Sequence, residues 1–239
     1  MPRVGATATD TVAGLVPAAG SGERLGRGPK AFVDLAGTPM LVWAVTALAA
    51  RVDVLAVGVA EIDLARTRTL LAPWSARFDV RLVVGGASRQ ATVQRLLASV
   101  ESDVVVVHDA ARPFLDASTL EAVIAAAREH GACSVGQPVA DSLVRAHDGA
   151  PVDRAQLRAV QTPQAFRREV LQRAHEAAVL DGWAATDDAG LVWRMGHRVA
   201  WVAGGSHLFK VTTPSDFTLA EAVVASGAFG VTTPEAPGP

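Results

Sequence analysis

The stretch Val104-Val-Val-Val-His-Asp-Ala-Ala-Arg-Pro113 joins the most apolar of the strand-like runs to a polar turn. Four consecutive valines leave no polar face, so the run predicts a strand that is buried on both sides. Strands of this kind belong to parallel sheets, and we expect Val104–Val107 at the centre of one. Asp109 would then follow the carboxyl end of the strand, where ligands bind in such sheets.

Short β-branched runs alternate with longer helical patterns on both sides of this stretch. We predict strands at 12–16, 54–59, 80–84, 104–107 and 132–135, and helices at 39–50, 62–71, 89–100 and 118–130. This alternation predicts an α/β fold, with helices on both faces of a mostly parallel sheet. The glycine-rich segment after the first strand, Gly85-Gly86 and His108-Asp109 should therefore face one cleft.

The composition is that of a chain that can form a large core. Half of its 239 residues are apolar and its net charge is -2, which favours one large domain and disfavours nucleic acid as a partner. The single cysteine, Cys133, excludes an intrachain disulfide and is expected to be a buried thiol. No apolar run approaches the roughly 18 residues of a membrane span, so we expect a cytoplasmic protein without a membrane partner.

The first predicted strand leads into Leu15-Val-Pro-Ala-Ala-Gly-Ser-Gly-Glu-Arg-Leu-Gly-Arg-Gly-Pro-Lys30, which is rich in glycine. Glycines leave backbone N–H groups uncovered, so a polyphosphate can approach the main chain while Arg24 and Lys30 supply positive charge. A dinucleotide-binding Rossmann turn is the alternative. Against it, no helix is predicted to begin at the loop, and residues 40–46 hold no carboxylate for a ribose.

Lysine is rare in this chain: 20 of its 22 Lys and Arg residues are arginines, and only Lys30 and Lys210 are lysines. A retained lysine indicates a place where a small, flexible ammonium is needed and a planar guanidinium does not suffice. Chance retention is the alternative. Asp109, after the central strand, could bind ribose hydroxyls, a substrate or magnesium, or could form a turn with Arg112 as its ion-pair partner. His108 is interpreted as a turn residue without a chemical role.

Six motifs follow the order and spacing of one enzyme family. They are Pro17-Ala-Ala-Gly-Ser-Gly-x-Arg24, Pro29-Lys30, Val107-His-Asp-Ala-Ala-Arg-Pro113, Gln161-Thr-Pro-Gln-Ala-Phe166, Thr186-Asp-Asp188 and Lys210-Val-Thr212. On these residues the chain resembles the 2-C-methyl-D-erythritol 4-phosphate cytidylyltransferases. The resemblance implies a three-layer, Rossmann-like nucleotidyltransferase fold in one domain over 12–226, with flexible tails at 1–10 and 227–239.

The resemblance also implies the reaction and its participants. The family transfers CMP from CTP to 2-C-methyl-D-erythritol 4-phosphate and releases pyrophosphate, in non-mevalonate isoprenoid precursor biosynthesis. Mg²⁺ is the implied cofactor, held mainly by the CTP phosphates, because the sequence shows no carboxylate cluster for an all-protein metal site. The residues implied to bind CTP are Pro17, Ala18, Ala19, Gly20, Ser21, Gly22, Arg24, Lys30, Gly85, Gly86, Arg89, Thr92, Asp109 and Ala110.

A second set of residues is implied to bind the acceptor: Asp109, Arg112, Ser142, Arg154, Thr162, Thr186 and Lys210. Four cations are expected to carry catalysis. Arg24 and Lys30 would offset charge on the leaving pyrophosphate, while Arg154 and Lys210 would hold the acceptor phosphate. The chain departs from the family's usual residues at Ala87 (Asp), Thr92 (Ser) and Leu208 (Asn), which leaves no carboxylate at 87 and no amide at 208.

The segment 137–160 interrupts the α/β pattern and predicts a β-arm. Strand-like residues 142–145 and 152–160 flank His147-Asp-Gly-Ala-Pro151, a hairpin signal, and a two-stranded arm is marginally stable unless it packs on something. The resemblance implies that the arm embraces a second subunit, in a homodimer where Ser142 and Arg154 reach the partner's site. A flap tied to its own domain is the alternative.

Several other features are expected to be structural. Asp187 and Asp188 precede an apolar-periodic segment and predict a capped helix start, at which Thr186 could also contact a ligand. The tryptophans Trp43, Trp183, Trp193 and Trp201 are expected in the core or an interface.

Three other functions remain open at this point. A cytidylyltransferase acting on ribitol 5-phosphate would share the nucleotide half of the site. A non-catalytic nucleotide sensor, or a dinucleotide-binding oxidoreductase, is the more distant alternative. Arg24, Lys30 and Lys210 around one cleft favour phosphate chemistry.

Overall fold

The computed structural model describes residues 10–236, which have the predicted α/β architecture. Residues 1–9 and 237–239, part of the tails predicted to be flexible, lie outside the described residues. The strands are β1 (Val12–Pro17), β2 (Asp34–Leu35), β3 (Thr38–Pro39), β4 (Val54–Val59), β5 (Asp79–Val84), β6 (Val104–Val107), β7 (Ala132–Pro138), β8 (Leu143–Val144), β9 (Pro151–Val152), β10 (Arg158–Arg167) and β11 (Ala200–Ala203). The helices are α1 (Met40–Ala49), α2 (Leu64–Leu70), α3 (Ala72–Ser75), α4 (Arg89–Ala98), α5 (Ala117–His130), α6 (Arg168–Leu180), α7 (Asp188–Arg194) and α8 (Pro214–Ser226).

The main sheet has seven strands in the order β11-β7-β10-β6-β1-β4-β5. Strand β10 runs antiparallel to β6 and β7, and the other neighbouring pairs are parallel. The prediction that Val104–Val107 forms the central strand is confirmed, because β6 has three strands on each side.

The valines of β6 divide the core into two halves. Val104 and Val106 pack in one buried cluster with residues of α1 and α5, whereas Val105 and Val107 pack in a second cluster with residues of α4 and α6. Alternate side chains of a strand point to opposite faces, so four apolar residues serve both helical layers. This gives the three layers that the sequence predicts.

Two element predictions need correction. The expected helix at 62–71 is broken into a 3₁₀ turn at Glu61–Asp63, the helix α2 and the short helix α3, with Pro73 in the first turn of α3. The extended run predicted at 152–160 divides into the end of β9, a 3₁₀ turn at Arg154–Gln156 and the start of β10, a strand that was not predicted to join the main sheet. Pro163 interrupts its sequence and cannot donate to a ladder, and the pairing with β7 shifts between Gln161 and Gln164.

The β-arm leaves the main sheet between β7 and β10. Strands β8 and β9 pair only with each other in the small sheet that they form, and Val144 is 61% exposed. Of the tryptophans, Trp43 is buried, while Trp193 and Trp201 are 70% and 45% exposed. The arm and the edge strand β11 therefore offer apolar surface that residues 10–236 do not cover.

Candidate active site

A cleft of about 610 Å³ opens at the carboxyl ends of the strands, where the sequence predicts it. Its walls come from the glycine loop after β1, from the turn before α4 and from the turn after β6, with Lys210 added from near the end of the chain. The lining residues are 17–24, 30–31, 86–89, 92, 109–111 and 210. Most of the residues implied to bind CTP thus lie around one cavity.

The glycine loop folds back on itself. Gly22 has φ of 73°, and a side chain there would overlap the carbonyl oxygen of Gly28 and lie 2.8 Å from the backbone nitrogen of Lys30. Glycine is therefore required on both conformational and steric grounds. The fold-back brings Lys30 to the same wall of the cleft as Arg24.

The two lysines meet across the cleft although they are far apart in sequence. Lys30 Nζ donates to the carbonyl oxygen of Val211, the residue after Lys210, at 3.2 Å. Burial lowers the pKa of Lys30, and the positive charges of Arg24 and Lys210 lower it further. These three cations form a concentration of positive charge suited to phosphate groups.

Asp109 lies between two cations at the floor of the cleft. Its Oδ1 accepts from Arg89 Nε at 3.0 Å, and its Oδ2 accepts from Lys210 Nζ at 2.7 Å. Burial alone would raise the pKa of Asp109, but the charges of Arg89 and Lys210 hold it well below its usual range. The carboxylate is thus ionised at neutral pH, and its ion-pair partners are Arg89 and Lys210 and not the Arg112 of the alternative interpretation.

A buried relay fixes the backbone of Asp109. The Asp109 N–H donates to Thr162 Oγ1 at 3.1 Å, Thr162 Oγ1 donates to His108 Nδ1 at 3.1 Å, and His108 Nε2 donates to the Arg112 carbonyl at 2.9 Å. Burial lowers the pKa of His108 to about 4, so the ring is neutral and can accept at Nδ1. His108 is a structural turn residue, as expected, and the Thr162 hydroxyl is engaged within the protein.

Arg89 is not simply a wall of the cleft. Besides Asp109, it binds Asp188, with 2.7 Å between Nη1 and Oδ2. The capping prediction holds for Asp187, whose side chain accepts from Gly190 N at 2.9 Å. Asp188 instead is 1% exposed and also accepts from His175 Nε2 at 3.3 Å. Sequence reasoning missed this ion pair, because Arg89 and Asp188 are 99 positions apart.

Gln164 connects two of the sequence motifs. Its Oε1 accepts from the backbone N–H groups of Asp188 and Ala189 at 3.0 and 3.1 Å, and its Nε2 donates to Asp187 and Ser134. The amide side chain therefore satisfies free N–H groups at the start of α7. In the sequence, the only indication that Gln164 binds the start of α7 was that the motifs at 161–166 and 186–188 occur together.

The remaining predicted residues do not line the cleft of their own chain. Arg112 donates to the carbonyl oxygens of Leu208 and Val160 at 2.6 and 3.4 Å. Thr186 is exposed beside Asp187. Ser142 and Arg154 are exposed in the arm, where Arg154 donates to the carbonyl oxygen of Ala140. Gly85 lies against Ala19, which packs the turn before α4 on the glycine loop.

The cleft holds few metal-binding groups. Within residues 10–236 no cluster of three His, Cys, Asp or Glu side chains could hold a metal ion. The carboxylates of the cleft lining are Glu23 and Asp109. Cys133 is buried, and burial raises its pKa to about 11, as expected for an unreactive thiol. In the same part of the chain, no helix has the length and hydropathy needed to cross a membrane.

Comparison with known proteins gives a consistent result. A family model described as IspD, 2-C-methyl-D-erythritol 4-phosphate cytidylyltransferase, matches residues 12–226. The protein of that name from Deinococcus radiodurans is 48% identical over 221 residues, 91% of each chain. Its Streptomyces avermitilis counterpart is 46% identical over 231 residues, 89% of this chain and 91% of the other. The crystal structure of the enzyme from Thermus thermophilus matches with a TM-score of 0.75 and 35% identity, over 90% of this chain and 98% of that one.

Proposed function

The chain belongs to the 2-C-methyl-D-erythritol 4-phosphate cytidylyltransferase family, and we propose that its cleft transfers CMP from CTP to 2-C-methyl-D-erythritol 4-phosphate. The products are 4-diphosphocytidyl-2-C-methyl-D-erythritol and pyrophosphate. The observation that carries the proposal is the meeting of Arg24, Lys30 and Lys210 around the glycine loop that lines the cleft. The family relationship favours this acceptor over ribitol 5-phosphate, and favours an enzyme over a nucleotide sensor.

The chemistry requires positioning and charge stabilisation. A phosphate oxygen of the acceptor attacks the α-phosphorus of CTP in line, and the bond to the bridging oxygen of pyrophosphate breaks. Arg24 and Lys30 line the cleft beside the glycine loop and would stabilise the negative charge that develops on the leaving group. Lys210 would hold the acceptor phosphate and offset its repulsion from CTP. The attacking phosphate is already an anion, so no general base is needed.

Asp109 and Lys210 would rearrange when substrates enter. In the cleft the Lys210 ammonium donates to Asp109 Oδ2 at 2.7 Å. A phosphate near Lys210 offers the ammonium a second anion and would share it with Asp109. Asp109 Oδ2 would then be bound less strongly by Lys210, and it could accept hydrogen bonds from ribose or polyol hydroxyl groups.

Magnesium fits the cleft as an ion carried in with CTP. Asp109 already has an ion-pair partner on each oxygen, and Glu23 lies at the exposed glycine loop. Mg²⁺ takes most of its ligands from phosphates and water, so the CTP phosphates would hold the ion and Glu23 would supplement them. When bound, the ion would neutralise charge on the CTP phosphates.

The second subunit completes the acceptor half of the site in this proposal. Ser142 and Arg154 lie outside the lining of their own cleft. The arm that bears them is poorly supported by residues 10–236 of its own chain, since β8 and β9 form a sheet of two strands and Val144 is 61% exposed. A homodimer formed through residues 137–160 would bury this surface and bring Arg154 of one copy to the acceptor phosphate bound by the other. A cytoplasmic location is part of the same proposal.

An activity assay tests the proposed function. The protein is incubated with CTP, Mg²⁺ and either 2-C-methyl-D-erythritol 4-phosphate or ribitol 5-phosphate, and pyrophosphate release is followed together with the cytidylyl product. We expect turnover with the first acceptor to exceed turnover with the second by at least about tenfold. Turnover with ribitol 5-phosphate alone would overturn the substrate assignment, and CTP binding without turnover on either would favour a sensor.

A further inference from the structure

A line of alternating charges runs from the cleft into the interior. Lys210 contacts Asp109, Asp109 contacts Arg89, Arg89 contacts Asp188, and Asp188 contacts His175 on α6. The first three line the cleft, whereas Asp188 and His175 are buried behind it, at 1% and 2% side-chain exposure. Only the first three have a place in the proposed chemistry.

We propose that Asp188 is a positioning residue for CTP binding: it holds the Arg89 guanidinium from behind, with His175 orienting its carboxylate, and thereby sets the place of Asp109 in the cleft. The inference rests on the proposed function for its substrate. It adds two residues, Asp188 and His175, that do not belong to the lining of the cleft.

The anchoring of Arg89 is the first argument. Its guanidinium is held through Nε by Asp109 and through Nη1 by Asp188, while its buried Nη2 has no hydrogen-bond partner within residues 10–236. Asp188 is thus one of two anchors. Without it, Arg89 would be fixed only by the carboxylate that it is meant to place.

The balance of charge is the second argument. Lys210 and Arg89 contribute two positive charges around Asp109 and Asp188, which contribute two negative ones. If Asp188 lost its charge, Asp109 would be the remaining carboxylate paired with Arg89, and the attraction between these two side chains would be stronger. Because Asp109 also binds Lys210, its carboxylate would be drawn away from Lys210 and from the nucleotide side of the cleft.

The rigidity of Asp188 is the third argument. Gln164 accepts from the backbone N–H of Asp188 at 3.0 Å, and His175 donates to its Oδ1, which leaves Oδ2 directed at Arg89. Both supporting side chains are buried, at 0% and 2% exposure. A carboxylate that only capped α7 or filled the core would not require both a buried donor on Oδ1 and a backbone N–H held by Gln164.

The first test compares Asp188→Asn with Asp63→Asn. Asp63 is the matched control, since it is a buried aspartate that pairs with Arg66 at 2.8 Å away from the cleft lining. Calorimetry should show that Asp188→Asn binds CTP about tenfold more weakly than the wild type and that Asp63→Asn binds CTP with unchanged affinity. Loss of active protein with an unaltered CTP dissociation constant would identify a purely structural role and overturn the proposal.

The second test substitutes His175, in case Asp188→Asn does not fold. Glutamine can still donate to Asp188, whereas leucine cannot. We expect CTP affinity near that of the wild type for His175→Gln and about tenfold weaker for His175→Leu, measured on protein with native circular dichroism. Equal affinities in the two variants would contradict the proposal. If the wild type binds CTP but transfers nothing, the proposed function fails, while the affinities still decide the role of Asp188.

Discussion

The cleft and the β-arm differ in what holds their charged side chains. In the cleft, Asp109 is buried and bonded to both Arg89 and Lys210, and a relay through Thr162 fixes its backbone. In the arm, Arg154 is exposed and donates to a carbonyl oxygen of the arm itself. One chain thus preorganises the half of the site proposed to bind the nucleotide. For the other half, the proposal requires a second copy of the chain.

The largest effect should come from removing a cation of the cleft. Lys30→Met deletes the ammonium proposed to stabilise the leaving pyrophosphate and should lower kcat about a hundredfold. Arg51→Met is a suitable control, because Arg51 pairs with Glu121 on the surface away from the cleft lining. Steady-state rates of pyrophosphate release give the comparison. A loss of less than about threefold in Lys30→Met would remove Lys30 from the reaction.

A smaller effect should come from replacing a lysine ammonium of the cleft by an arginine guanidinium, which has the same charge and a different shape. Lys30→Arg and Lys210→Arg should each lower kcat/KM about tenfold or more, because a planar guanidinium reaches different oxygens from an ammonium. The same assay measures both variants. Full activity in either one would show that the scarcity of lysine in this chain has no functional meaning at that position.

The pH dependence should distinguish the cleft from an ordinary surface. The pKa of Lys30 is lowered by burial and by Arg24 and Lys210, so its ammonium loses its proton at a lower pH than an exposed lysine does. We expect kcat/KM for CTP to fall as pH rises through that lowered pKa. Arginine stays protonated, so in Lys30→Arg the fall of kcat/KM should occur at higher pH. If the fall occurs at the same pH in both proteins, it is caused by the titration of a group other than Lys30.

The smallest effect should come from the arm's apolar surface. Val144 is 61% exposed and would be buried in the proposed dimer. Val144→Ser should raise the dimer dissociation constant about fivefold to tenfold, or ~1–1.4 kcal/mol, by sedimentation. The stability of the subunit should change by less than about 0.5 kcal/mol, as for most exposed positions. Unchanged dimerisation would place the interface elsewhere.

The sequence predicts those parts of the fold and the cleft that depend on local pattern. Four valines predict the central strand β6, and its position in the sheet confirms this. Glycines between a strand and Pro29-Lys30 predict a loop on the cleft wall, and Gly22 supplies it with a left-handed residue. In both cases the information lies within a short stretch of chain.

The parts that sequence could not predict depend on distant partners. Strand β10 contains Pro163, and a proline in the sequence argues against a strand. The structure accommodates it at a bulge in the pairing of β10 with β7, which the sequence does not show. The Arg89 and Asp188 pair joins residues 99 positions apart, and a helix-start motif gave no indication that Asp188 faces inward. The exposed position of Arg154 relative to its own cleft likewise follows only from the three-dimensional arrangement.

Subunit complementation tests the division between cleft and arm most directly. Lys30→Met damages a cleft and Arg154→Met damages an arm, so each homodimer should be nearly inactive. When the two variants are unfolded, mixed in equal amounts and refolded, half of the dimers should be hybrids, each with one intact site. Activity should recover to about a quarter of that of wild-type protein treated in the same way. Hybrids without recovered activity would show that Arg154 serves the cleft of its own chain, which would contradict the account.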